Sequence, residues 1–167
     1  MFENEPVSDF PNITKIIFKS ISKKFLKIIL LNVSFLFCII LIGLILVDYF
    51  NLFEEFGDYF NLSYGTFIVV FSLVILLNFL AFKKRKYAIR EKDISYKSGI
   101  FFKKLTTVPF SRVQHIEIDE KPISRLFGLA SLSIYTAGDS SDDLVIKGVT
   151  KEIALQIKEY ISTKINE

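Results

Sequence analysis

At 167 residues, with 51% hydrophobic and 23% charged residues and a mean hydropathy of +0.41, the chain is too apolar for one ordinary soluble domain, where about 45–50% apolar residues is the norm. A net charge of +3 says little about partners as a total, so the distribution of charge carries the information. The single cysteine, Cys38, excludes an intramolecular disulfide and leaves no second sulfur for a structural zinc site.

Residues 1–27 begin with a polar stretch holding Glu3, Glu5 and Asp9, without the basic start and small-residue cleavage site of a signal peptide. We read this as a cytoplasmic tail. From Pro11 and Asn12 a helical period sets in, with Ile13, Ile16, Ile17, Ile21, Phe25 and Ile28 on one face and Lys15, Lys19, Lys23 and Lys27 on another. Two readings stand: an amphipathic helix lying in the headgroups, or a simple basic flank leading into a span.

Residues 28–47 carry no charge and are long enough, at about 1.5 Å per residue, to cross the roughly 30 Å hydrocarbon core as a first transmembrane helix. Residues 48–61 form a short external loop, acidic and aromatic, without Lys or Arg. Residues 62–82 form a second span, closed by Lys83, Lys84, Arg85 and Lys86. Because basic flanks stay inside, this distribution predicts a hairpin with both termini cytoplasmic, in the cell membrane.

Residues 83–167 switch to an extended period and predict a cytoplasmic α+β domain. Strands are expected at 87–90 and 94–97 around the turn Glu91–Asp93, and at 103–108 after Gly99. Pro109 ends that third strand, and Val113, Ile116 and Ile118 start a fourth, which Pro122 stops. Leu126, Phe127 and Leu129 pack a turn broken by Gly128; a fifth strand then runs from Leu132 to Gly138, and a sixth over 144–147 after the tip at 138–143. A helix follows, capped by Thr150, with Ile153, Ile157, Tyr160, Ile161 and Ile165 on one face. Pattern alone leaves this open to several α+β folds.

The segment from Pro109 to Leu132 resembles the signature of the YdbS-like, membrane-bound bacterial PH-domain family. Its P-x-x-R-[IV]-Q turn is present as Pro109, Arg112, Val113 and Gln114. Its P-[IL]-x-R-x-[FL]-G-L-A-x-[LV] stretch is present as Pro122, Ile123, Arg125, Phe127, Gly128, Leu129, Ala130 and Leu132. The resemblance implies a PH-like fold, a bent antiparallel sheet or partly open barrel plugged by the C-terminal helix, with seven strands where the pattern places six. It also implies a membrane protein that often accompanies a larger relative bearing several such domains, with links to envelope stress or antimicrobial resistance.

For chemistry, the residues offer no convergent nucleophile, base or metal cluster, so neither catalysis nor a cofactor is expected. His115, the only histidine, alternates with Val113 and Glu117 on a strand and is read as surface or packing. Asp139, Asp142 and Asp143 lack the pattern of a calcium loop. Lys83, Lys84, Arg85, Lys86, Arg90, Lys103 and Lys104 are candidate lipid-headgroup contacts, with plain anchoring as the simpler role. The membrane accounts for this charge without nucleic acid. Arg112 and Arg125 are expected to pin turns by donating to backbone carbonyls or to a carboxylate such as Asp119 or Glu120, with ligand binding as the alternative. The expected function is a membrane-anchored interaction module binding a protein or peptide, with assembly into an oligomer left open. An anionic-headgroup sensor and a structural subunit of a transporter or envelope complex are the alternatives. Asn32 and Asn78, at matching depths, are expected to hydrogen-bond across the hairpin, or each to its own helix backbone.

Overall fold

A computed structural model describes residues 16–50, 60–136 and 144–166. The element order is β1 (Lys19–Ser20), α1 (Lys23–Tyr49), α2 (Phe60–Lys84), β2 (Lys86–Ile89), β3 (Asp93–Ser98), β4 (Lys104–Pro109), a 3-10 turn (Phe110–Arg112), β5 (Val113–Asp119), α3 (Pro122–Leu126), β6 (Leu129–Thr136), β7 (Leu144–Thr150) and α4 (Lys151–Asn166). Most of the 48–61 loop and the 138–143 tip lie outside the described residues.

The first correction concerns the N-terminal segment. Of the helical period expected over 13–28, residues 13–15 lie outside the described residues and Lys23 to Ile28 are helical as expected, but Lys19 pairs with Tyr87 and Ser20 with Lys86 as a strand. This is the seventh strand, and it precedes both membrane helices. The reason is local competition for backbone partners. The edge of β2 satisfies the backbone of β1, whereas Ser22, extended at ψ 133°, ends the strand and caps α1 by accepting from the Lys24 amide at 3.3 Å. Ile21, 4% exposed, belongs to the core of the sheet domain rather than to a membrane-facing stripe.

The strands form two antiparallel sheets, β1-β2-β3-β4 and β5-β6-β7, which do not close into one barrel. Between their facing sides lie Ile94, Val108, Leu132, Ile134, Leu144 and Ile146, and α4 plugs the open side with Ala154, Ile157 and Ile161. The helix face is therefore narrower than expected: Ile157 and Ile161 are buried, while Ile153 and Ile165 are exposed at the margins. Tyr160 meets Phe110 edge-on at 6.1 Å. Thr150 caps α4 as predicted, accepting from the Ile153 amide. The buried polar side chains are paired, with Ser95 on Thr107 at 2.8 Å and Ser133 on Asp119 at 3.4 Å.

The two long helices are the 27 residues of α1 and the 25 of α2, each long and apolar enough to cross a membrane. They run antiparallel, and along α1 the half-buried positions Leu30, Ser34, Phe37, Leu41, Leu44 and Asp48 recur at alternating spacings of four and three. Phe37 packs on Phe67 and Phe71 at 5.4 and 4.8 Å, and the Tyr64 hydroxyl donates to Asp48 at 2.9 Å. No hydrogen bond joins the Asn32 and Asn78 side chains. The Asn78 side chain instead donates to the Val74 carbonyl of its own helix at 2.9 Å, while Asn32 is exposed on the outer face. A carbonyl one turn back is nearer than any partner across a seam filled by phenylalanines.

Candidate functional site

The site is best built from the foot of the hairpin, where α1 leaves the domain and α2 returns to it. Three contacts fix the foot. The Ser22 amide donates to the Gly148 carbonyl at 2.9 Å, joining the start of α1 to β7. The Phe25 ring occupies the space over Gly148, where an added Cβ would collide with Phe25 Cγ. The Arg85 guanidinium lies 5.9 Å from the centroid of the same ring. Gly148 sits at φ +83°, in a bulge of β7 where Ala130 faces Val149 and Ser131 faces Lys147. Neither the bulge nor its role as a seat for Phe25 was legible from the sequence, since a lone glycine in a strand says only that a backbone comes close.

Around this foot lies a cleft of about 520 Å³ lined by Arg85, Tyr96, Ser98, Lys104, Thr106 and Lys147, among other residues. Among the described residues no carboxylate lines it. Burial raises the Tyr96 hydroxyl above the ordinary phenol value, with the Arg85 charge acting in the opposite sense; burial alone raises Tyr87. The cleft unites Arg85 and Lys104 from the predicted headgroup set and adds Lys147. Strand alternation places Lys147 on the outer face of β7, but only the fold brings it beside Arg85.

The other predicted cations are distributed differently. Lys83 is exposed, its ammonium 4.3 Å from the Phe79 ring, and Lys84, Lys86 and Lys103 are exposed as well. Arg90 stands apart. It lies past the far end of β2 and holds Asp93 through two bonds, at 2.7 and 2.6 Å, so its charge closes the β2–β3 turn.

The signature residues form joints. Pro109 opens the 3-10 turn that crosses from one sheet to the other, Arg112 ends it, and Gln114 sits at the irregularity between Val113 and His115. Pro122 occupies the first turn of α3, Phe127 caps it, and Gly128 takes φ +65°. The Gly128 carbonyl accepts the Lys151 amide at 3.2 Å, tying this joint to the start of α4, and Leu129 is buried. Arg112 and Arg125 are exposed. The carboxylates expected to anchor them are engaged elsewhere, Asp119 by Ser133 and Glu120 by Lys151 at 2.7 Å. His115 is exposed, stacked on Tyr135 at 4.1 Å and 3.5 Å from Glu117. Among the described residues there is no cluster of metal-ligating side chains.

A second concavity, about 980 Å³, opens at the end of the domain away from the foot. Its floor is the Phe110–Tyr160 pair, and its rim carries Glu91, Lys92, Ser111 and Lys164.

Known proteins resemble parts of this chain. A family model described as "Bacterial PH domain" matches residues 17–165, a span that starts just before β1 and runs through the hairpin to the end of α4. The UPF0699 transmembrane protein YdbS of Bacillus subtilis (strain 168) is 36% identical over 52 residues, 31% of this chain and 33% of the relative, so the aligned part spans about a third of that protein's length. The crystal structure of a DUF1696 family protein with a pleckstrin-homology domain from Shewanella loihica PV-4 superposes with a TM-score of 0.36 at 18% identity, covering 48% of this chain and 70% of that one.

Proposed function

Since the chain belongs to the bacterial PH domain family and is membrane-associated, we propose that it is an interaction module held against the cytoplasmic leaflet, both termini inside, which binds a protein or peptide through the groove at its membrane-distal end. The observation that carries this reading is the location of that groove. Lys86 follows α2 directly, whereas Glu91 and Lys92 lie past the opposite end of β2, so the aromatic floor and charged rim face away from the bilayer. An aromatic floor with a rim of both signs suits a mixed peptide better than a lipid or a small apolar ligand. Orientation follows from the basic foot, Lys83 to Lys86, as positive flanks are retained inside.

The test is a photoreactive residue at Ser111 in the full chain in its own membranes. It should give one discrete protein adduct that Tyr160→Ala weakens, while the same residue at Lys97, near the foot, should not. Equal adducts at both positions, or none at Ser111, contradict the reading.

One observation favours a second role. The cleft at the foot gathers Arg85, Lys104 and Lys147, with no carboxylate among the described residues that line it, an arrangement suited to an anionic headgroup, each cation near such a leaflet being worth about 1 kcal/mol. Lys104→Glu with Lys147→Glu should reduce the anionic lipid that the purified full chain retains. Unchanged retention rejects the headgroup role and leaves the peptide reading intact.

A further inference from the structure

The connection between β3 and β4 exposes Phe101 and Phe102 at 79% and 93%, next to the exposed Lys103 and Lys104. Two adjacent phenylalanines in water are unexpected in a domain whose other aromatic residues mostly pack or stack. Their place in the fold explains them. β2 starts at Lys86, beside the last residue of α2, and runs away from the membrane; β3 returns, with Lys97 opposite Lys86. At Ser98 the chain is therefore back at the level of the α2 terminus, and residues 99–103 turn beyond that level before Lys104 pairs with Ser98. Gly99 lines the foot cleft together with Ala81 and Arg85, which sets the tip beside the last turns of a membrane-spanning helix.

The tip is also held in shape. Gly99 takes φ +98°, and an added Cβ there would collide with the backbone carbonyl of Phe102, so the turn depends on glycine.

We propose that the β3–β4 tip is a membrane-insertion loop. Phe101 and Phe102 enter the boundary between headgroups and acyl chains in the leaflet where α2 ends, with Lys103 and Lys104 at the level of the phosphates. Continuity with the lipid-embedded surface of α2 identifies the occupant as the bilayer. Sign complementarity agrees: the tip, the foot and the cleft all present cations, and aromatic rings with flanking lysines are the side chains that favour this zone. A second contact of this kind, beside the hairpin, would hold the domain at a fixed tilt. The inference rests on the hairpin spanning the membrane and is independent of what the distal groove binds.

The experiment uses the purified full chain with Cys38→Ser, one copy per lipid nanodisc, carrying an environment-sensitive fluorophore on a single introduced cysteine. Phe101→Cys and Phe102→Cys are the test positions, Lys92→Cys at the distal turn is the aqueous control, and Leu73→Cys on the outer face of α2 is the lipid control. Labels at 101 and 102 should be quenched by lipids bearing a nitroxide high on the acyl chain and should be several-fold less accessible to aqueous iodide than the label at 92. Iodide access equal to that at 92 would overturn the proposal. So would shielding from iodide without nitroxide quenching, which would assign the tip to a protein contact. Quenching at 73 in the same discs separates either failure from a failure of the hairpin to span.

Discussion

Ser20 lies opposite Lys86 in an antiparallel strand pair, and the entire membrane hairpin is enclosed between them. The hairpin thus occupies the place of the β1–β2 turn, and the domain is completed by a strand that precedes its own membrane anchor. A domain joined to the bilayer by one flexible linker could sample many orientations. This one is gripped by two chain crossings, by the Ser22–Gly148 bond, and by Phe25 seated on Gly148.

Replacing the hairpin by a short turn, joining Ser22 directly to Lys86, should give a soluble, folded domain, because the two strands already face each other. A fragment beginning at Lys86 lacks β1 and the buried Ile21. It should be less stable than the joined form by about 2 kcal/mol or more, the worth of burying one large aliphatic side chain together with a strand edge. Urea unfolding of the two proteins measures the difference.

Gly148→Ala should cost about 1–2 kcal/mol for the left-handed backbone alone, and further because Phe25 must move. The part due to Phe25 is separable. Combining Gly148→Ala with Phe25→Ala should cost less than the sum of the single changes, since two of the three crowding atoms, Cγ and Cδ1, leave with the ring and only the Phe25 Cβ stays. Strict additivity in thermal unfolding of the full chain in detergent would mean that the ring is not seated there.

Ile161 is fully buried and Ile165 is 43% exposed on the same helix. Ile161→Asp should therefore cost several kcal/mol, comparable to the whole stability of a small domain, whereas Ile165→Asp should change it by roughly 0.5 kcal/mol or less. Circular dichroism melts of both variants check the contrast.

The contrast also marks what the sequence could convey. Spans, strand order and the C-terminal helix were legible because charge-free runs, alternation and helical period are local signals. The signature residues were legible as a string, and their role as joints follows once Gly128 is seen accepting the Lys151 amide. β1 was not legible. Two residues carry no period, and the lysines around them fit a helix equally well; only the distant edge of β2 decides between strand and helix. The same holds for the foot cleft, where Arg85, Lys104 and Lys147 come from three elements whose proximity depends on sheet register.

The buried phenols give a pH dependence. Tyr87 and Tyr96 both have hydroxyls raised above the ordinary value of 10.0 by burial. The folded state then holds these protons more tightly than the unfolded state does, so their contribution is fully present below pH 10 and is lost as pH rises through the raised folded values. The melting temperature of the full chain in detergent should fall above that point, and the fall should be shallower in Tyr87→Phe and Tyr96→Phe than in the parent.

The insertion of the hairpin between β1 and β2 is tested most directly by a crosslink between Ser20 and Lys86, both exposed and directly paired. In membranes, the full chain with Cys38→Ser, Ser20→Cys and Lys86→Cys, and a protease site placed between residues 51 and 59, is oxidised mildly, cleaved and run without reductant. The two fragments should stay joined and separate on reduction, while a control pairing Ser20→Cys with Lys92→Cys should separate without it. Fragments that part as readily as the control would contradict a domain completed from before its own membrane hairpin.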